Sequence, residues 1–172
     1  MVYLSDVTDF ELLRQKYDNE KLCLAYVRFD NYEDVMKGMS ETTRANISGE
    51  VNEVLSKWAE EENGFISRSN KELCLIGFNQ AVLRDLMEQK FPVLDSVREI
   101  HVGNKITPTV SIGIACEGDN LEELSQNAVK ALDLALGRGG DQVVVAVDGG
   151  TQFFGRHDYR KLLKVHACAH VS

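Results

Sequence analysis

Phe65-Ile66-Ser67-Arg68-Ser69-Asn70-Lys71-Glu72-Leu73-Cys74-Leu75-Ile76-Gly77-Phe78 is the stretch that decides the class of fold. Two runs that suit strands, 65–68 and 72–78, flank the polar tripeptide Ser69-Asn70-Lys71. That spacing predicts a β-hairpin, and a hairpin imposes at least one antiparallel pair on whatever sheet contains it.

On the N-terminal side, Asn63-Gly64 closes a long helical stretch over about 32–62, with a break expected near Gly38. Ile47, Val51, Val54, Leu55 and Trp58 recur at helical spacing and predict one buried stripe. Before it, 22–29 is a nearly continuous apolar run that reads as a strand buried on both faces. Thr8-Asp9-Phe10-Glu11 fits a capping box for a helix reaching about Asn19. On the C-terminal side, Asn79 is placed to cap a helix carrying Leu83, Leu86 and Met87 inward, and Pro92 restarts or kinks it. A strand over 109–116 contains Gly113. Asn120 caps a helix with Leu121, Leu124, Ala128, Leu132 and Ala135 on one face, stopped by Gly137, Gly139 and Gly140. A last clear strand covers 142–147, and 151–154 adds a short one. The result is an α+β fold: a mixed central sheet of about five strands covered by helices.

The bulk numbers fit one soluble domain. The chain has 172 residues, 44% hydrophobic and 27% charged, enough for one well-buried core. A net charge of -8 argues against a general nucleic-acid binder, which carries a basic footprint. No apolar run approaches the roughly 18 residues of a membrane-spanning helix, so no membrane contact is expected of this segment. The four cysteines, Cys23, Cys74, Cys116 and Cys168, form no CxxC pair and read as free thiols, the first three buried. His166, Cys168 and His170 make no complete metal-ligand set. His101 reads as a loop or strand-edge residue without a catalytic role.

Two local patterns bring in a family. Ser111-Ile112-Gly113-Ile114-Ala115 resembles the SIGIA strand of GGDEF domains, and Phe29-Asp30-Asn31-Tyr32-Glu33 sits where diguanylate cyclases carry an Asp-x-Asp-x-Phe segment. Asp30-Asn31-Tyr32-Glu33 together with 135–142, Ala-Leu-Gly-Arg-Gly-Gly-Asp-Gln, resembles one subgroup more closely: the degenerate GGDEF domains of membrane-anchored cyclic-di-AMP phosphodiesterases of the GdpP/YybT type. That resemblance implies a nucleotidyl-cyclase-like fold over 20–155. It implies a PAS exit strand and linker helix over 1–19, with Asp6-Val7-Thr8 similar to the turn that leaves PAS domains. Residues 156–172, with three of the four histidines, are expected to be a disordered or cloning-derived tail. The implied partners are PAS and DHH modules of the same protein and a second copy of the domain. The implied place is the cytoplasmic side of a cell membrane in a bacterium.

Gly139-Gly140-Asp141-Gln142 imitates the GGDEF signature in the wrong place. The signature belongs on the hairpin, where this chain has Ser69-Asn70-Lys71-Glu72. In an ungapped match, Arg28 replaces the family's first metal-binding Asp and Lys71 the acid tied to catalysis, while Glu72 keeps its acid and Asp30 matches the second strand-end Asp. The guanine-reading Asn and its partner Asp fall on Met36 and Ala45. Cyclase chemistry needs divalent metals held by hard oxygen ligands, and two cations at the metal positions repel them. No cyclase activity, no cofactor and no resident Mg²⁺ are therefore expected. Arg28, Asp30, Asn31, Lys71 and Glu72 are the candidate ligand-binding residues, with ATP or GTP as the ligand and Arg28 and Lys71 in place of metal ions. The same cluster also reads as a salt bridge without ligand, and Asn31 as the cap of the following helix with Tyr32 packed in the core. Catalytic residues are not assigned. The function expected is a regulatory, catalytically degenerate GGDEF domain; the alternatives are weak ATP hydrolysis, which the resemblance implies, and a ligand-free dimerisation or spacer domain.

Overall fold

The computed structural model describes residues 20–100, 106–147 and 150–155. The element order is β1 (Leu22–Phe29), α1 (Tyr32–Met36), α2 (Glu41–Glu61), β2 (Phe65–Arg68), β3 (Leu73–Asn79), α3 (Gln80–Glu88), α4 (Val93–Arg98), β4 (Val110–Ala115), α5 (Leu121–Gly137), β5 (Gln142–Val147) and β6 (Gly150–Gly155). The expected PAS exit strand, linker helix, C-terminal tail and His101 lie outside the described residues.

Six strands form one mixed sheet in the order β2-β3-β1-β4-β5-β6. The predicted hairpin is β2–β3, antiparallel, with Phe65 opposite Gly77 and Arg68 opposite Cys74. β4 and β5 are parallel, which requires a crossover of a dozen or more residues; α5 supplies it. β6 is the short strand expected over 151–154, and it brings the sheet of about five strands to six.

Strand parity divides the core. Cys23, Ala25, Val27 and Phe29 of β1 join the large cluster built with α1, α2, α3 and α4. Leu24 and Tyr26 face the other way and pack with Leu124 and Ala128 of α5. Arg28 shares that second parity and is not in the large cluster. Each fully buried Leu, Ile or Val contributes about 1.5–3 kcal/mol. α5 rests directly on β4 at Gly113: a Cβ there would lie 2.1 Å from the Leu132 nitrogen and 2.5 Å from the Ala128 oxygen. No larger residue permits that seat.

The helix ends follow local chemistry. Asn79 accepts from the Val82 N–H at 2.9 Å and Asn120 from the Glu123 N–H at 2.8 Å. Ser40 caps α2 through the Thr43 N–H at 3.3 Å, so the break expected near Gly38 (φ +77) separates α1 from α2. Pro92 precedes α4 as expected.

Three readings need correction. Leu121 does not face the core; it is the first residue of α5 and 64% exposed, and Ala131 joins the buried face instead. Val54 is only half-buried beside the α2 stripe, and Ala59 completes that stripe. The free-thiol reading holds for Cys74 and fails for Cys23 and Cys116, which are bonded to each other. The β1–β4 register sets these two residues opposite across 93 residues of intervening chain.

Candidate functional site

At the end of the sheet where β1 leaves the core, a cleft of roughly 770 Å³ opens between the α1–α2 connection and the β2–β3 hairpin. Tyr32, Met36, Lys37, Arg44, Lys71 and Glu72 line it, with Glu33, Asp34, Gly38 and Asn70 around them. The hairpin turn is self-made. Asn70 Oδ1 accepts from the backbone N–H of Glu72 at 2.8 Å and of Leu73 at 2.9 Å, an Asx-type closure that needs no glycine. The turn is tied to β1 by the Phe29 N–H, which donates to the Glu72 carbonyl at 2.8 Å.

The five sequence-derived candidates divide. Lys71 and Glu72 line the cleft. Arg28 reaches its edge only through an ion pair with Glu72, 3.6 Å between Nη2 and Oε2. Both side chains are about a third or more exposed, so the pair is weak. Glu72 is thereby engaged by a cation inside its own protein. Lys71 makes no salt bridge among the described residues, and neither do Lys37 and Arg44.

Asp30 and Asn31 point elsewhere. Asp30 Oδ2 accepts from the Asp141 N–H at 2.8 Å and from the Thr109 hydroxyl at 3.2 Å. Its Oδ1 and the neighbouring Ser111 Oγ are both buried, and the Ser111 hydroxyl faces the carboxyl. Burial pushes the Asp30 carboxyl above its ordinary value. The Ser111 hydroxyl, the Asp141 N–H and the Thr109 hydroxyl pull it back, and the Asp141 charge adds to the rise. Asn31 stands at the N-cap position of α1, yet its φ of -114° and ψ of 35° close no cap. Its Nδ2 donates to the Thr107 carbonyl at 2.7 Å and its Oδ1 accepts from the Thr109 N–H at 3.1 Å. The helix-capping reading of Asn31 is therefore replaced by a strap from β1 to the segment before β4. Tyr32 is partly buried and packs edge-on against Phe29, ring centroids 5.5 Å apart, as expected, but also faces the cleft.

The Gly139-Gly140-Asp141 run closes over Asp30. Gly140 has φ +74, and a Cβ there would lie 2.9 Å from the Asp30 Cγ and Oδ2, so glycine answers both to the turn and to the approach. Asp141 (φ +56) is held by Arg98, with 2.8 Å between Nη2 and Oδ1 and both side chains under 20% exposed. Asp30 is thus a buried structural carboxyl in this conformation, and the glycine run is its lid.

Residues 27–153 match the family model described as "Cyclic-di-AMP phosphodiesterase GdpP-like, GGDEF domain". The chain belongs to this family. As a GdpP-like GGDEF domain it is 37% identical over 156 residues to the cyclic-di-AMP phosphodiesterase GdpP of Bacillus subtilis (strain 168), covering 90% of this chain and 24% of that protein. It is 35% identical over 156 residues to the cyclic-di-AMP phosphodiesterase PdeA of Listeria monocytogenes serotype 1/2a (strain 10403S), with the same coverage. The chain thus spans about a quarter of the length of these relatives. Among solved structures, the GGDEF domain of DgcB from Caulobacter crescentus in complex with c-di-GMP matches with TM-score 0.63 at 18% identity, over 80% of this chain and 87% of that one. A diguanylate cyclase/phosphodiesterase from Caldicellulosiruptor saccharolyticus matches with TM-score 0.64 at 16% identity, over 83% and 86%. At that identity the likeness establishes the GGDEF fold alone. No helix among the described residues is long and apolar enough to cross a membrane.

Lys37 and Arg44, which sequence reasoning missed, complete the cleft's cations. Arg44 sits four residues after the α2 N-cap. Ser40, a cap-type residue two positions after Gly38, is the signal that could have placed the start of α2 there and Arg44 in its first turns.

Proposed function

We propose that this GdpP-like GGDEF domain is a regulatory domain that has given up cyclase chemistry and binds a nucleoside triphosphate in the hairpin cleft. One observation carries the reading: Lys37, Arg44 and Lys71 converge on a cleft whose matched acid, Glu72, is paired with Arg28. Three cations that make no salt bridge among the described residues suit a polyphosphate even in a cleft that also carries Glu33, Asp34 and the Arg28-paired Glu72, and they disfavour Mg²⁺. The two acids that could have served metal-dependent chemistry are both engaged, Glu72 by Arg28 and Asp30 by Asp141 and Thr109. The ligand is held by the lysines and Arg44 directly; Arg28 acts by neutralising Glu72 rather than by touching phosphate.

In the longer protein, by likeness to its cyclic-di-AMP phosphodiesterase relatives, the domain passes its occupancy to PAS and DHH neighbours of a membrane-anchored protein. The pair of copies expected from the sequence is part of that reading.

Calorimetric titration with ATP and with GTP, each with and without Mg²⁺, tests it. Binding that persists without Mg²⁺ and is lost by at least tenfold in Lys71→Ala and again in Arg44→Ala is the expected result, since a charge-assisted hydrogen bond contributes about 1.5–3 kcal/mol. Incubation with GTP and Mg²⁺ is expected to yield no cyclic dinucleotide. Absence of heat with a folded domain at millimolar nucleotide defeats the nucleotide-binding reading and leaves a structural coupler.

A further inference from the structure

Far from the cleft, at the start of β1, two sulfurs meet. Cys23 is the second residue of β1 and Cys116 immediately follows β4. The register that pairs Leu24 with Ala115 sets them opposite each other, and their Cα atoms are 4.4 Å apart. That separation is the one expected of a non-hydrogen-bonded antiparallel pair, where side chains come closest and no backbone bond joins the rung. What holds this rung is therefore side-chain chemistry. Its neighbours are slight: Lys21 meets Glu117 at 3.2 Å with both side chains partly exposed, and the Gln80 N–H donates to the Lys21 carbonyl at 2.9 Å at the start of α3. An exposed ion pair of that kind contributes little.

We propose that Cys23 and Cys116 form a reversible thiol–disulfide clamp on the point where the chain enters the sheet, opened and closed by exchange with low-molecular-weight thiols and disulfides. Closing begins at Cys116, which is 5% exposed in the turn after β4, whereas Cys23 is 0% exposed. The Cys116 thiolate attacks a small disulfide RSSR, forms Cys116–S–S–R and releases RS⁻. The Cys23 thiolate then attacks the Cys116 sulfur, forms the protein disulfide and releases the second RS⁻; the two thiol protons end on the two released thiols. Opening reverses both steps with two small thiols. Cys74 does not compete: its register partner on β1 is Val27 rather than a cysteine, and desolvation pushes its thiol up to about 11, leaving little thiolate.

Closed, the clamp fixes residues 20–24 to the central strand β4. Open, the same residues are held by the weak pair at Lys21 and by the strand ladder. The chain enters β1 at this point, so the thiol state sets how rigidly residues 20–24 are held to the sheet.

The test uses the 172-residue chain carrying Cys168→Ser, equilibrated with glutathione disulfide or with dithiothreitol, then unfolded, alkylated and mapped by peptide mass. The expected result is a cross-linked peptide pair joining Cys23 to Cys116 after the disulfide treatment, two fewer alkylations, and full reversal by dithiothreitol. Hydrogen exchange on the folded chain is expected to be at least severalfold faster over 20–24 in the reduced form, with 142–147 unchanged. Cys23→Ala is expected to exchange like the reduced chain under either treatment. Full alkylation of both cysteines after disulfide treatment of the folded chain overturns the proposal. Equal exchange over 20–24 in cross-linked and reduced chain overturns it as well.

Discussion

Replacing Asp30 with Asn probes the buried end of β1. In the folded chain this carboxyl lies among Ser111, Thr109, Gly140 and Asp141, and burial raises its pKa from the ordinary value of 3.8. The charged groups nearby are Asp141, which adds to the rise, and Arg98, which is bound to Asp141. Between 3.8 and the raised value the folded chain holds more proton than the unfolded one. Stability therefore falls as pH rises through that window, and the ionised carboxylate is a net cost above it. Each unit separating the two values costs about 1.4 kcal/mol at neutral pH. Asn ends the ionisation and keeps an acceptor for the Asp141 N–H. Against this stands the loss of a charge-assisted bond, about 1 kcal/mol. The expected outcome is that Asp30→Asn is at least as stable as the parent at pH 7, and that the parent gains on it as pH falls toward 3.8. Urea unfolding of both chains at several pH values between 4 and 7 measures the difference, and changes common to the two cancel. A variant weaker by more than about 1 kcal/mol at every pH refutes the reasoning and returns the Asp30 charge to a stabilising role.

Two further substitutions bear on the same architecture. Gly113→Ala places a methyl 2.1 Å from the Leu132 nitrogen, where ordinary contact begins at 3.4 Å, so α5 must retreat by about 1.3 Å. We expect a loss of about 3 kcal/mol and a fall in Tm of about 6–12 °C; scanning calorimetry showing less than about 2 °C contradicts the close seat of α5. Arg98→Ala leaves the Asp141 carboxylate without its guanidinium in a largely buried position, for an expected loss of about 2–4 kcal/mol, reduced from the fully buried case by residual exposure. Arg98→Lys recovers only part, because it keeps the charge without the fork; a urea midpoint unchanged in Arg98→Ala argues that the pair contributes nothing.

What could be read from the sequence was what is local. The hairpin turn, the Asn79 and Asn120 caps, the break at Gly38 and the stop at Gly139-Gly140 each depend on residues a few positions apart, and each stands as expected. What was missed depends on partners distant in sequence. Asn31 carries a cap residue's chemistry and uses it on Thr107 and Thr109, 76 and 78 residues away. Asp30 meets Asp141 across 111 residues, and Cys23 meets Cys116 across 93. The parity of β1 did offer a usable signal: with Phe29 in the core, Arg28 must face the opposite side of the sheet. Read that way, the period of two would have separated Arg28 from Lys71, but β1 read as a strand buried on both faces and the two cations were grouped together.

The hairpin turn and the glycine run can now be told apart by what they do. In the hairpin, Asn70 closes the turn with its own side chain, and the backbone there carries Lys71 and Glu72 into the cleft. In the Gly139-Gly140-Asp141 run, glycine is required because the backbone passes within contact of the Asp30 carboxyl. The segment that resembles the signature thus serves the interior, and the segment at the signature's position serves the surface with cations. Asp30 is kept inside, and the acids that do line the cleft, Glu33, Asp34 and Glu72, share it with three cations, which weakens it as a divalent-metal site. On the function proposed above, the cleft holds phosphate rather than transferring it.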